Sequence, residues 1–200
     1  MYTHFNYHFK REVAILQPGD YYASTKDELI STILGSCVAV ALFDSAIGAA
    51  GLNHFMLPGK VDDTFYLQES GKYGMHAMEL LINELYKLGA KRNRLIAKVF
   101  GGGSVLAGAK DGNVAHNNIK FAFSYLKTED IPIVTSDVGG IRARKIFVDP
   151  LTAKVMLKKL PNSAAVLVEA EEEKLGRTLK TISQDPIFFN NPGKTNRSKE

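Results

Sequence analysis

The chain has 200 residues, 45% of them apolar and 23% charged, which suits one soluble domain with a sizeable core and hardly two. A single cysteine excludes an internal disulfide framework and any cysteine-rich metal site. The net charge of +4 is spread along the chain, concentrated only at Lys91-Arg92-Asn93-Arg94 and at Arg142, Arg144 and Lys145. That distribution lacks the dense basic stripe and docking element of a nucleic-acid binder, so no nucleic-acid partner is expected.

In chain order, residues 1–20 read as a flexible lead-in that ends in the turn signal Gln17-Pro18-Gly19-Asp20. The start lacks the order of a secretory signal, and no apolar run is long enough to cross a bilayer. A cytoplasmic protein without membrane insertion is the expectation. Ile30–Leu34, Val38–Phe43 and Gly51–Met56 read as strands, and the polar stretch from Pro58 to Tyr73 as a loop. Met75, Met78, Leu81, Ile82, Leu85 and Leu88 recur at helical spacing, with Gly89 placed to cap the helix. Leu95–Phe100 reads as a strand running into Gly101-Gly102-Gly103.

A second helix is expected to start at an Asn117-Asn118 cap and to bury Ile119, Phe121, Ala122, Tyr125 and Leu126. Ile131–Thr135 is a further strand, and Lys145–Val148 with Lys154–Leu160 form a hairpin. The domain is expected over residues 21–160, and residues 161–200 as a polar, partly ordered tail. The fold class is α/β (α+β), a single-domain layered sandwich of mixed β-sheet with two main helices.

The chemistry centres on Cys37 and His54. If the four residues Asp44 to Ile47 close a hairpin, Phe43 faces Gly48 and Cys37 lies directly across from His54, with Cβ atoms about 5 Å apart. An imidazole beside a thiol favours the thiolate–imidazolium pair and makes the sulfur a nucleophile. A third polar group orients such a histidine. Ser31 and Thr32 stand just upstream, and as strand neighbours they point to opposite faces, so at most one serves. Cys37 also fits a small buried hydrophobe, and His54 a structural histidine. His4, His8, His76 and His116 have no metal-ligand spacing, and Gly101-Gly102-Gly103-Ser104 lacks the ending of a P-loop; no metal and no cofactor are expected.

Ser31-Thr32-Ile33-Leu34-Gly35-Ser36-Cys37-Val38-Ala39-Val40 followed by Asn53-His54-Phe55-Met56-Leu57-Pro58 closely resembles the CheD family of chemoreceptor glutamine deamidases. The resemblance continues through Pro18–Tyr22, Met78–Leu85, Phe100–Gly103 and Asp137–Arg144. It implies a cofactor-free cysteine hydrolase of layered α/β fold that converts glutamines on the cytoplasmic helices of chemoreceptors to glutamate. Cys37 would be the nucleophile and His54 its base. The family's third residue, a threonine six positions before the cysteine, falls on Ser31, with Thr32 one step later. The chain departs from the family at Ala115-His116-Asn117-Asn118, where Gly-x-Arg-Asn is common, and in its long tail. The resemblance also implies a second role, binding a CheC-type phosphatase as a regulatory adaptor. A general cysteine peptidase or acyltransferase is a third reading of the same pair.

Overall fold

The computed structural model describes residues 1–57, 69–105 and 112–161, together with Ala170 and Lys174. In chain order its elements are β1 (Tyr2–Asn6), β2 (Arg11–Ile15), β3 (Tyr21–Ser24), β4 (Glu28–Leu34), β5 (Val38–Asp44), β6 (Ala49–Asn53), α1 (Glu69–Lys87), β7 (Ile96–Gly101), α2 (Gly112–Thr128), β8 (Ile133–Val138), β9 (Arg144–Val148) and β10 (Val155–Lys159). The strands form two five-stranded mixed sheets, ordered β1-β2-β4-β9-β10 and β3-β6-β5-β7-β8.

The middle strand β5 is buried over its whole length. Its even-numbered residues Val38, Val40 and Leu42 join Met78, Leu81, Leu85, Phe121 and Leu126 in a core between the second sheet and the helices. Its odd-numbered residues Ala39, Ala41 and Phe43 join Ile30, Leu34, Leu52, Ile146 and Val148 in a core between the two sheets. A strand covered on both faces reads as a continuous apolar run, as Val38-Ala39-Val40-Ala41-Leu42-Phe43 does. The layers are sheet, sheet and helices, a mixed-sheet sandwich with two main helices, as the sequence led us to expect. The hairpin of β9 and β10 and the cap at Gly89, whose N–H meets the Tyr86 carbonyl at 2.9 Å, also stand where expected.

Five elements differ from the sequence reading. Residues 1–20 carry β1 and β2, and β2 pairs in parallel with β4. Val13 and Ala14 are fully buried there, whereas β1 keeps its aromatic side chains largely exposed and so shows no alternation to read. β3 fills the edge of the second sheet next to β6. α1 begins at Glu69, so Glu69–Tyr73 are helical; of the expected loop, residues 58–68 lie outside the described residues. Gly74, just past the expected loop, admits close packing, since a Cβ would come within 2.7 Å of Leu57 and Phe121 side-chain carbons. α2 begins at Gly112, which places Asn117 and Asn118 inside the helix, not at its cap. The expected tail lies outside the described residues from 162 on, apart from Ala170 and Lys174.

Candidate active site

The hairpin of β5 and β6 brings Cys37 and His54 together, but not in the expected register. Asp44 pairs with Ala49 and Phe43 with Ala50, two residues away from the pairing of Phe43 with Gly48. The turn is therefore Ser45–Gly48. Gly48 sits at φ +60°, a conformation for a turn and not for a strand, and Asp44 Oδ1 accepts the Ala46 N–H at 3.2 Å. A slip of two residues keeps every side chain on its face, where a slip of one would have reversed them all.

The same register continues to the pair Val38 and Phe55, which exchange N–H···O bonds of 3.0 and 2.9 Å. Cys37 and His54 each precede one member of that pair. They are thus diagonal neighbours, not direct partners, and both turn to the inter-sheet side. Diagonal Cα atoms stand roughly 7–8 Å apart, within reach of an imidazole and a thiol. Both residues are sealed from solvent, at 0% and 2% exposure.

Three devices hold His54. Asn53 Oδ1 accepts the Val40 N–H at 2.9 Å, so a side chain replaces the backbone rung where β6 leaves β5. The backbone of His54 then bonds the Gln17–Asp20 turn, donating to Asp20 O at 2.9 Å and accepting from Gly19 N–H at 2.7 Å. Finally, Thr32 Oγ1 lies 2.7 Å from His54 Nδ1. That hydroxyl donates its only proton to the Leu16 carbonyl at 2.8 Å, so it accepts from the histidine. Nδ1 therefore carries hydrogen, and in the neutral ring the lone pair is left on Nε2.

Ser31, on which the six-position spacing falls, sits on the other face of β4. Its Oγ is buried and meets no hydrogen-bond partner among the described residues. The strand alternation that allows only one of the two hydroxyls at the histidine places Thr32 there: Ile30 and Leu34, its neighbours on that face, lie in the inter-sheet core.

The loop before Cys37 is braced from two sides. Gly102 and Gly103 donate to the carbonyls of Cys37 and Gly35 at 2.7 and 2.6 Å, so the glycine run is a tight strand-to-loop turn against the cysteine. Opposite, Asn118 Oδ1 accepts the Leu57 N–H at 2.7 Å while its Nδ2 donates to the Ser36 carbonyl at 2.9 Å. This fully buried amide ties the segment after His54 to the residue before Cys37. Sequence reasoning missed it, because an Asn-Asn pair ahead of an apolar run signals a helix cap. Beyond the glycines, Arg144 is buried, pairs with Asp137 at 2.5 Å and bonds the carbonyl of Gly139, fixing the turn after β8. Burial lowers its pKa against the opposing pull of Asp137.

Residues 56–159 match the family model described as CheD chemotactic sensory transduction. The chain belongs to the CheD family. Curated CheD proteins align over most of its length. A probable chemoreceptor glutamine deamidase CheD 1 of Albidiferax ferrireducens is 45% identical over 84% of this chain and 70% of its own. Probable chemoreceptor glutamine deamidases of Janthinobacterium sp. and Ralstonia nicotianae are 43% and 37% identical, over 90% and 89% of this chain and 91% and 77% of theirs. Among solved structures, the Bacillus licheniformis hypothetical protein YfiH overlaps 60% of this chain and 49% of its own at a TM-score of 0.40 and 13% identity, too distant to carry an argument. Among the described residues, no cluster of His, Cys, Asp and Glu could hold a metal ion, and no helix is long and apolar enough to cross a membrane.

Proposed function

We propose that this CheD-family chain is a protein-glutamine deamidase that converts glutamine side chains of chemoreceptors to glutamate, with Cys37 as nucleophile, His54 as base and acid, and Thr32 as the group that orients the histidine. The carrying observation is the Leu16–Thr32–His54 hydrogen-bond chain, which fixes the imidazole tautomer beside a buried cysteine. His54 Nε2 takes the thiol proton, and the thiolate adds to the carboxamide carbon, moving the carbonyl π pair onto oxygen. When that C=O re-forms, the C–N bond breaks and the imidazolium supplies the proton with which ammonia leaves. A water deprotonated by His54 then attacks the thioester carbon, breaks the C–S bond and yields the glutamate and a free thiol.

The deamidase unit then takes in more than residues 21–160, a reading supported by Leu16 and the Gly19–Asp20 turn in front of β3, which bond Thr32 and His54. A substrate on the receptors' cytoplasmic helices places the protein in the cytoplasm. A CheC-type phosphatase, as second partner, would compete with the receptor for this site.

Intact-mass analysis of a cytoplasmic receptor fragment incubated with the protein tests the reading. A gain of about one dalton per modified glutamine, with equimolar ammonia, is the expected result. An unchanged mass across several receptor fragments overturns it.

Thr32 and Ser31 separate in the same assay. Thr32→Val keeps the shape and removes the acceptor for Nδ1–H, and is expected to lower kcat/KM by about 10- to 100-fold. Ser31→Ala is expected to stay within about twofold, since its hydroxyl supports no partner in the described structure. The opposite ranking would return the orienting role to Ser31.

A further inference from the structure

The first sheet turns one face to the inter-sheet core and the other outward. The outward residues of β4 are Leu29, Ser31 and Ile33, beside Val13 of β2 and Lys145 and Phe147 of β9. Val13, Leu29 and Ser31 are fully buried, yet neither Val13 nor Leu29 takes part in the two cores described above. Strand neighbours cover the flanks of a side chain that stands out from a sheet, not its tip. The helices pack on the other sheet, α1 against β3 and β6 and α2 against β5 and β7. Phe9, from the turn after β1, reaches the outward face with its ring 4.9 Å from that of Phe147, and covers part of a patch that extends over two strands. The Ser31 hydroxyl is sealed with no hydrogen-bond partner among the described residues, as beneath an apolar layer and not as at a wet surface.

The chain itself leaves this sheet at its β10 edge. The Leu160 N–H bonds the Ala143 carbonyl at 2.8 Å, and the Leu160 carbonyl accepts from Arg142 Nε at 3.0 Å. Pro161 therefore stands at the end of the sheet that carries Ile33, Lys145 and Lys158. Residues 162–200 follow. In their sequence, Ala164, Val168, Leu175, Leu179 and Ile182 fall within a helical stripe about 60° wide, after the cap-forming Asn162-Ser163. Glu171 and Glu172 flank that stripe and are opposite in sign to Lys145 and Lys158. Ala170 and Lys174, the described residues of this stretch, are helical and exposed, and both fall away from the stripe. A helix over residues 164–182 would be about 28 Å long, and five strands present a face about 19 Å wide. One such helix is enough to cross it.

We propose that the outward face of the first sheet is the docking surface for residues 164–182 of the same chain, whose apolar stripe seals Val13, Leu29 and Ser31. The segment enters over β10, sets Glu171 and Glu172 toward Lys145 and Lys158, and leaves Ala170 and Lys174 to solvent. β4 is then backed on both sides, by the segment on Ser31 and by the inter-sheet core on Ile30. This surface is independent of the substrate, so the proposal stands or falls apart from the deamidase reading.

The test is cross-linking in the full chain with a short bismaleimide. Ile33 is exposed at the rim of the face, so Ile33→Cys gives an accessible anchor. Paired with Val168→Cys, on the stripe, it is expected to cross-link within one chain about tenfold faster than with Ala170→Cys, two residues on and turned away. Met156→Cys, on the same face in β10, is a second anchor that should show the same preference, so a folding defect in one variant does not decide the result. The Ile33→Cys and Met156→Cys single variants account for any product through Cys37. Equal rates for Val168→Cys and Ala170→Cys would mean that the segment does not dock by its stripe, and overturn the proposal. Products of doubled mass would give the face to a second copy and overturn it too. Hydrogen exchange of the unmodified protein is the independent measure: amides of residues 164–175 are expected to exchange at least about 100-fold more slowly than an unfolded chain, and exchange at the unfolded rate overturns the proposal.

Discussion

Cys37→Ala and His54→Ala are each expected to slow deamidation of a receptor fragment by about 10⁴- to 10⁶-fold, and the double variant to be no slower than the worse single one. Nucleophile and base act as one unit. Without His54 the sulfur keeps its proton and the leaving nitrogen has no donor; without Cys37 the imidazole has no thiol to deprotonate. Removing the second member then takes away nothing that still functions. The measurement is single-turnover ammonia release at equal enzyme concentration, with unfolding temperatures recorded for all three variants. Both residues are buried, so Cys37→Ala also leaves a small cavity, but losing one sulfur from a core costs far less than the activity effect. If His54→Ala retained a tenth of the wild-type rate, or if the two losses multiplied, the pair would not be acting as a unit. The chemistry would then have to be sought in another base.

How this site could be read from sequence varied with the distance over which each contact is made. Cys37 and His54 were legible because a single hairpin joins them and the side-chain period of two survives a register error of two. The error came from the turn: Asp44-Ser45-Ala46-Ile47 looks like a complete connection, and only the backbone of Gly48 moves the closing pair to Asp44 and Ala49. The choice between Ser31 and Thr32 could not be made on hydrophobic alternation. In β4 both faces are buried up to Thr32, so Leu29 and Ile30 signal burial equally and neither face announces itself as the inner one. The second sheet's partner strands were legible wherever they were apolar, whereas β1, with its exposed aromatics, was not. Asn118 bridges 82 positions to Ser36, and no local pattern encodes that contact. It sits in a helix interior where asparagine is disfavoured, with one buried and one part-buried hydrogen bond to offset the propensity. Glu69–Tyr73 fell in a stretch whose glycines and polar residues signal a loop, yet they are helical, and Gly74 after them leaves no room for a Cβ beside Leu57 and Phe121.

Gly101→Ala is expected to damage stability and catalysis together, because one backbone position serves both. Gly101 ends β7 at φ +110°, a conformation that costs a residue with a side chain about 1–3 kcal/mol. A Cβ there would also overlap the carbonyl oxygen of Cys37 and come within 3.1 Å of Val38 Cα. Both obstacles are backbone, so no rotamer change relieves them. The chain must move apart, and the element it moves against is the cysteine loop, which the adjoining Gly102 and Gly103 hold by their N–H groups. We expect a loss of about 3–4 kcal/mol, seen as a fall in unfolding temperature of roughly 6–16 °C. Residual deamidation should approach that of Cys37→Ala even at temperatures where the variant remains folded. Gly140→Ala supplies the comparison. Gly140 lies in the neighbouring turn at φ +74°, and a Cβ added there would meet no atom within 4 Å, so the strain is confined to its own backbone. Its destabilisation should be about 1–2 kcal/mol, with deamidation kept within a few-fold of wild type at temperatures where it is folded. If the two variants lost activity equally, general strain in the glycine turns would explain both. If only Gly101→Ala lost it, the geometry of Cys37 depends on β7 being able to lie against the cysteine carbonyl with nothing but hydrogen between them.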